Sequence, residues 1–246
     1  MVFFFLNNRR GNSLTMKNIV IPVLFFLATL TSLHAQMDMK GLRFGLQVSP
    51  TFSSMSTTDK DVIRNGVNLG TKLGLVGEIN FSENYAITTG LGFSFNAGGR
   101  LRYVTGGNLL NNSKIDTLRM LPAGTQIRYH IQYVEIPIGL KMRTQEFGYL
   151  RYYGEVPLTI GFRGKGRGDI VATNITLEDE DIHKDIVPIT ISWGFGGGVE
   201  YNISQSTTLV AGLAYQRSFV DITRNSGTDD SKANMGRIVL KLGILF

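Results

Sequence analysis

The chain has no cysteine, six prolines, one tryptophan and no long apolar run beyond its N-terminal region. Without cysteine it can hold no disulfide framework, no thiolate metal site and no lipid-modified N-terminal cysteine, and it suits passage through an oxidising compartment without crosslinks. Few prolines leave long stretches free to pair. The one apolar run of note, Ile19 to Leu30, falls short of the ~20 residues a spanning helix needs. Charge is also scarce. The formal +6 includes Arg9, Arg10 and Lys17 near the start, where no acid offsets them, and the rest of the chain carries only +3. That is too small and too scattered for a nucleic-acid partner. Histidine is equally thin: past His34 only His130 and His183 remain, with no serine–histidine–acid set nearby, so nothing points to an enzyme.

What is present begins with a leader. Met16-Lys17-Asn18 gives a short basic start, the apolar run follows, and Ser32-Leu33-His34-Ala35 precedes Gln36. This order predicts a signal peptide cleaved after Ala35. Residues 1–35 then form the signal with an upstream extension, Met16 being the natural start, and residues 36–246 form the exported domain.

From Gly41 onward the dominant signal is alternation with period two, broken by Gly, Asn, Asp and Ser clusters. It predicts eight strands, about 41–53, 68–81, 85–97, 126–143, 149–163, 187–202, 207–221 and 235–246. In the last, Ile238, Leu240, Leu242, Ile244 and Phe246 share a face opposite Arg237, Val239, Lys241, Gly243 and Leu245. Gaps after the second, fourth and sixth strands are short, whereas those at 54–67, 98–125, 164–186 and 222–234 are long. Short turns alternating with long loops, on strands with one apolar face, describe an all-β fold. The expected form is an eight-stranded antiparallel transmembrane β-barrel with short periplasmic turns and long extracellular loops, integral to the outer membrane and in contact with its lipid.

Mid-strand Pro137 and Pro157 remove ladder hydrogen bonds and imply bulges. A turn near Glu146 would set Glu135 across from Pro157 and Pro137 across from Glu155. Glu78-Ile-Asn80-Phe-Ser82 repeats as Glu200-Tyr-Asn202-Ile-Ser204, each spanning an up-strand and its turn.

The segment Gln132-Tyr133-Val134-Glu135-Ile136-Pro137-Ile138-Gly139-Leu140-Lys141 resembles the Tyr-x-Glu-x-Pro strand of the PorT-like outer-membrane barrels of Bacteroidota. Tyr149 to Gly161, the Glu-Tyr-Asn-Ile-Ser turn and the terminal Leu242-Gly-Ile-Leu-Phe246 fit as well, so the resemblance covers about 40–246. It implies insertion by the barrel-assembly machinery, which reads a terminal strand ending in an aromatic, here Phe246. It also implies, through some members, an accessory role in type IX secretion alongside other secretion-system proteins.

The inward face gathers Glu78, Glu135, Glu155 and Glu200 with Arg43, Lys72, Lys141, Arg151, Arg163, Arg237 and Lys241. Buried charges must pair, and eight strands leave little open lumen, so this set is expected to plug the barrel. Neither a cofactor nor a metal is implied: the acidic run Leu177–Asp181 with Asp185 is expected to be a solvated loop, and Gly194-Phe-Gly196-Gly-Gly198 lies in a strand and opens no helix. Three readings of function remain: a non-catalytic accessory or assembly component of protein secretion to the surface, a small-solute porin, and a structural or adhesive surface barrel acting through its loops.

Overall fold

The computed structural model describes residues 41–107, 109–110, 112–113, 120–173, 175–224 and 233–246; the expected signal peptide and its cleavage site lie outside them. Among the described residues eleven strands follow one another: β1 (Leu42–Thr57), β2 (Val62–Arg64), β3 (Asn68–Asn80), β4 (Tyr85–Ala97), β5 (Arg100–Tyr103), β6 (Gln126–Arg143), β7 (Leu150–Ala172), β8 (Ile175–Asp181), β9 (Ile189–Asn202), β10 (Thr208–Ser218) and β11 (Ala233–Leu245). Eight of them, β1, β3, β4, β6, β7, β9, β10 and β11, pair antiparallel in sequence. The pairing of β1 with β11, from Gly45↔Leu245 to Thr57↔Ala233, closes the ring. Closure removes the free edges that an open sheet would present.

Period-two alternation turns one side of every ring strand outward. Leu46, Val48 and Phe52 of β1, Leu73 and Leu75 of β3, Ile138 and Leu140 of β6, and Ile238 and Leu242 of β11 are all exposed on that side. An apolar belt that encircles the molecule is untenable in water and suited to lipid. Aromatic residues edge the belt at both ends. Phe81 stacks on Tyr85 at 6.1 Å and Tyr149 meets Tyr201 at 6.2 Å near the short turns, while Trp193 stacks on Phe219 at 6.3 Å near the long loops.

Three expectations are corrected. Pro137 and Pro157 cause no bulge: the β4–β6 ladder lapses between Thr89↔Ile138 and Gly92↔Glu135, and the β7–β9 ladder between Glu155↔Gly196 and Leu158↔Trp193, each without a change of register. Proline loses its bond toward one neighbour only, and the β6–β7 pairing runs unbroken through both. The β6–β7 register differs too, with Lys141 opposite Glu155 and Pro137 opposite Thr159. The turn falls later than Glu146 because Gly148 supplies the left-handed residue (φ +67°). Nor are the first three long connections bare loops. β7 extends to Ala172, and β2, β5 and β8 add to the tops of β5, β6 and β7 respectively.

The bulges sit instead at the upper rim. Asn96 (φ +57°) breaks the β4–β6 register, and Gly164 is skipped where the partner of Tyr133 is Arg163 but that of Gln132 is Lys165. That one-residue slip turns Gly166, Gly168 and Ile170 inward. Above the rim they help enclose an apolar cap of Met55, Leu101, Ile127, Ile131, Ile182 and Ile222, each at most 1 % exposed.

Candidate functional site

Beneath that cap the lumen is polar, and its charges are stapled across the ring. At the upper level Glu135 of β6 is fully buried and receives Lys72 Nζ of β3 at 2.6 Å and Arg237 Nη1 of β11 at 2.5 Å. β6 and β11 stand four places apart in the ring, so this pair spans the barrel. Midway, Glu155 of β7 meets Lys241 of β11. At the lower level Glu78 of β3 and Glu200 of β9, again on opposite walls, converge on two cations of β6. Lys141 Nζ lies 2.6 Å from Glu78 and also bonds Glu200. Arg143 Nε donates to Glu200 at 2.8 Å, and its Nη2 donates to Glu78. Arg43 approaches both glutamates at 3.9 Å from the side of the short turns. The two copies of the sequence repeat therefore deliver their glutamates to one shared pair of cations.

Of the residues expected in the lumen, Glu78, Glu135, Lys141, Glu155, Glu200, Arg237 and Lys241 come together there. Arg151 does not. It lies where β7 emerges at the turn, and its Nη2 pairs with Glu146 at 2.8 Å, with both side chains about a third exposed. Asn202 Nδ2 donates to the same carboxylate, and with Arg151 this holds the Glu146 carboxyl below its usual range. Arg143, which the sequence reading passed over, is a central member, and its odd number on β6 (the parity of Glu135 and Lys141) was the available signal. Arg163 leaves the network upward, where Nη1 donates to the carbonyls of His183 and Ile186 and pins the third long connection across the mouth.

Free space is small inside and larger at one end. A cavity of about 70 Å³ between Lys72, Lys141, Tyr153 and Lys241 has room for a few water molecules. On the side of the short turns a vestibule of about 990 Å³ opens, lined by Arg43, Asn80, Asn84, Arg143 and Arg151 and floored by the lower ion-pair cluster. Glycines on β9 and β10 make the interior fit: a Cβ at Gly212 would collide with Tyr153 Oη, whose ring lies 4.3 Å from Lys141 Nζ. Phe246 closes the seam, its N–H donating to Phe44 O at 2.7 Å, with the ring turned outward.

A closed ring of eight antiparallel strands, apolar outside and charged within, is an integral outer-membrane β-barrel. Residues 34–224 match the model of the outer membrane protein beta-barrel domain, and the chain belongs to that family. No curated protein sequence matches it. Among solved structures it is similar to neisserial surface protein A (12 % identity, 82 % of this chain and 95 % of that one, TM-score 0.43). It is similar as well to OprG from Pseudomonas aeruginosa (10 %, 84 % and 96 %, 0.44) and to Ail of Yersinia pestis (14 %, 85 % and 100 %, 0.37).

Proposed function

We propose that the protein is a non-catalytic barrel that serves as an accessory or assembly component of protein export to the cell surface, working through its rim and extracellular cap. The observation that carries this reading is the filled interior: among the described residues, three tiers of ion pairs below and an apolar cap above enclose a cavity of about 70 Å³ between them. The chain's length and its paired Glu-x-Pro strands, Glu135-Ile136-Pro137 and Glu155-Val156-Pro157, direct it toward the type IX-like branch. The lumen network is then a structural plug, Phe246 the residue read by the assembly machinery, and residues 1–35 a signal removed in the periplasm.

Gene deletion tests the reading. Loss of surface-exported proteins from the cell exterior, with their accumulation in the periplasm, is expected; unchanged export overturns it. Planar-bilayer recording addresses the porin alternative, since a plugged lumen gives no stable conductance step. N-terminal sequencing of the membrane-embedded protein should begin at Gln36.

A further inference from the structure

The outer wall changes character abruptly at the upper rim. Along β6 the outward residues run Met142, Leu140, Ile138, Ile136 and Val134, then switch to Gln132, His130 and Arg128. Along β7 they run Leu158, Ile160 and Phe162, then Lys165, Arg167 and Asp169. Val134 pairs with Phe162 and Gln132 with Lys165, so the first polar row sits directly on the last apolar one. From Met142 to Val134 the strand spans roughly 26 Å at about 3.3 Å per residue, which is the scale of an outer-membrane apolar band once tilted. This row therefore lies at the depth of the outer-leaflet headgroups.

Here the wall folds into a cleft of about 390 Å³ lined by Phe95, Asn96, His130, Lys165, Arg167 and Asp169. Its acids are engaged locally: Asp169 takes His130 Nε2 at 2.8 Å and the Asp179 N–H at 3.1 Å, and Asp179 takes Arg167 at 2.8 Å. Its cations are not all spent. Lys165 makes no ion pair among the described residues, and neither does Arg100, which lies directly opposite Arg128 on β6. Arg128 Nε donates to Asn68 Oδ1 at 3.2 Å and Arg128 stands opposite Asp169 on β7, so Arg100 is the cation of this pair with no side-chain bond of its own among the described residues. Like charges facing one another across a ladder disfavour it and are eased by a further anion. A second hollow of about 200 Å³, lined by Arg100, Arg128, Asp169 and Glu178, adjoins this pair. On the far side of the ring, among the described residues, the outward positions near the upper ends of their strands are uncharged: Asn234 and Gly236 on β11, and Ser54 and Ser56 on β1.

We infer that this cleft and the hollow beside it bind the bisphosphorylated headgroup of an outer-leaflet glycolipid, with Lys165 on one phosphate, Arg100 and Arg128 on the other four residues further up the wall, and the acyl chains against Phe93, Phe95 and Phe162. Guanidinium and ammonium groups give charge-assisted, geometrically matched bonds to phosphate oxygens. Basic pockets at headgroup depth hold lipids by that chemistry. The adjoining apolar wall separates a lipid from a free anion, because only a lipid uses both.

The test places the full barrel in phosphatidylcholine nanodiscs doped with a bisphosphorylated glucosamine-disaccharide lipid or its dephosphorylated form, and counts retained lipid by native mass spectrometry. Retention of the phosphorylated form is expected to exceed the other by about tenfold or more. Lys165→Gln should cut it several-fold and R100Q/R128Q/K165Q should abolish it, while R217Q on β10, two strands from β7, changes nothing; a shift in gel migration between unheated and heated samples reports that each variant is folded. Equal retention of the two lipids, or undiminished retention by folded K165Q, overturns the inference. So does displacement of the lipid by millimolar inorganic phosphate, which marks a free-anion site, or by polyglutamate, which marks an acidic protein partner.

Discussion

Replacing Glu135 by glutamine removes one negative charge from between two cations and leaves the shape of the site intact. Glu135 is fully buried, with Lys72 Nζ at 2.6 Å and Arg237 Nη1 at 2.5 Å, and both cations are themselves under a tenth exposed. Breaking a buried pair by removing one partner costs about 3–5 kcal/mol, because the charge left behind is neither hydrated nor neutralised. Here two charges are left behind, so the upper end of that range is expected for E135Q. Trp193, the only tryptophan, stands exposed on the outer wall and reports unfolding by fluorescence in urea titrations of the barrel in phosphatidylcholine vesicles. A loss of about 5 kcal/mol is several times the ~1 kcal/mol typical of a point mutation. The decisive comparison is the triple variant K72M/E135L/R237M. It abolishes all three charges at similar volume, and well-packed apolar replacements of buried ion groups are often neutral or stabilising. It should unfold at a urea concentration close to the wild type. If E135Q is as stable as the wild type, or the triple variant as weak as E135Q, the interior is hydrated enough to carry unpaired charge and the plug reasoning fails.

The two arginines near the short turns should separate cleanly in the same assay. Arg143→Ala leaves Glu78 and Glu200 with less compensation and should cost about 3 kcal/mol or more, whereas Arg151→Ala breaks only a partly exposed pair with Glu146 and should cost under about 1 kcal/mol. Gly212→Val overpacks the lumen against Tyr153 and the Gly197 carbonyl, with an expected loss of about 1–3 kcal/mol by urea unfolding. Tyr103, at the edge of the cap and 2.8 Å from Tyr129 Oη, has its pKa raised above 10.0 by burial despite the opposing bond from Tyr129. A raised value favours the protonated phenol in the folded state, so the cap keeps this contribution below about pH 10 and loses it as pH climbs toward the folded value. Absorbance at the phenolate band should show a late-titrating step that Tyr103→Phe removes, and a normal titration for this residue counts against its burial.

The barrel was legible because period two survives wherever a strand crosses lipid on one side and the lumen on the other. That parity also puts Glu78, Glu135, Lys141, Glu155, Glu200, Arg237 and Lys241 on the inward face from the sequence alone. Arg151 shares the parity but lies at the strand end, where the wall stops and the side chain meets the turn acid Glu146 instead. Parity tells which way a residue points, not how deep it lies. The cap was hidden for a different reason. At Gly164 one residue is skipped, so from Lys165 onward the inward positions change from odd to even and the alternation of β7 seems to dissolve. Asn96 does the same to β4, and β2 and β5, at three and four residues, are too short to show a period. The β6–β7 register was missed because which residue of Thr144 to Gly148 takes the left-handed turn depends on local backbone fit rather than on residue pattern.

The inversion of polarity along the barrel axis has a physical logic that ties these features together. In lipid the outer face must be apolar, so an apolar inner face would leave the two sides of each strand equivalent. A one-residue slip of register would then cost almost nothing. Glu135, Lys141 and Arg143 remove that degeneracy, because a slipped β6 would push all three into hydrocarbon. At the bilayer midplane each Lys or Arg in lipid costs about 2–4 kcal/mol. The ion pairs thus act on the choice of register even where, counted as bonds, they contribute little net stability. From the headgroups upward water itself marks the outer face, and the ordinary rule returns: Ile127, Ile131, Ile170 and Ile182 turn inward while Arg128, His130 and Lys165 turn out. The apolar core of this protein therefore lies outside the membrane and its charged core within it, with the Asn96 and Gly164 bulges standing where one rule hands over to the other.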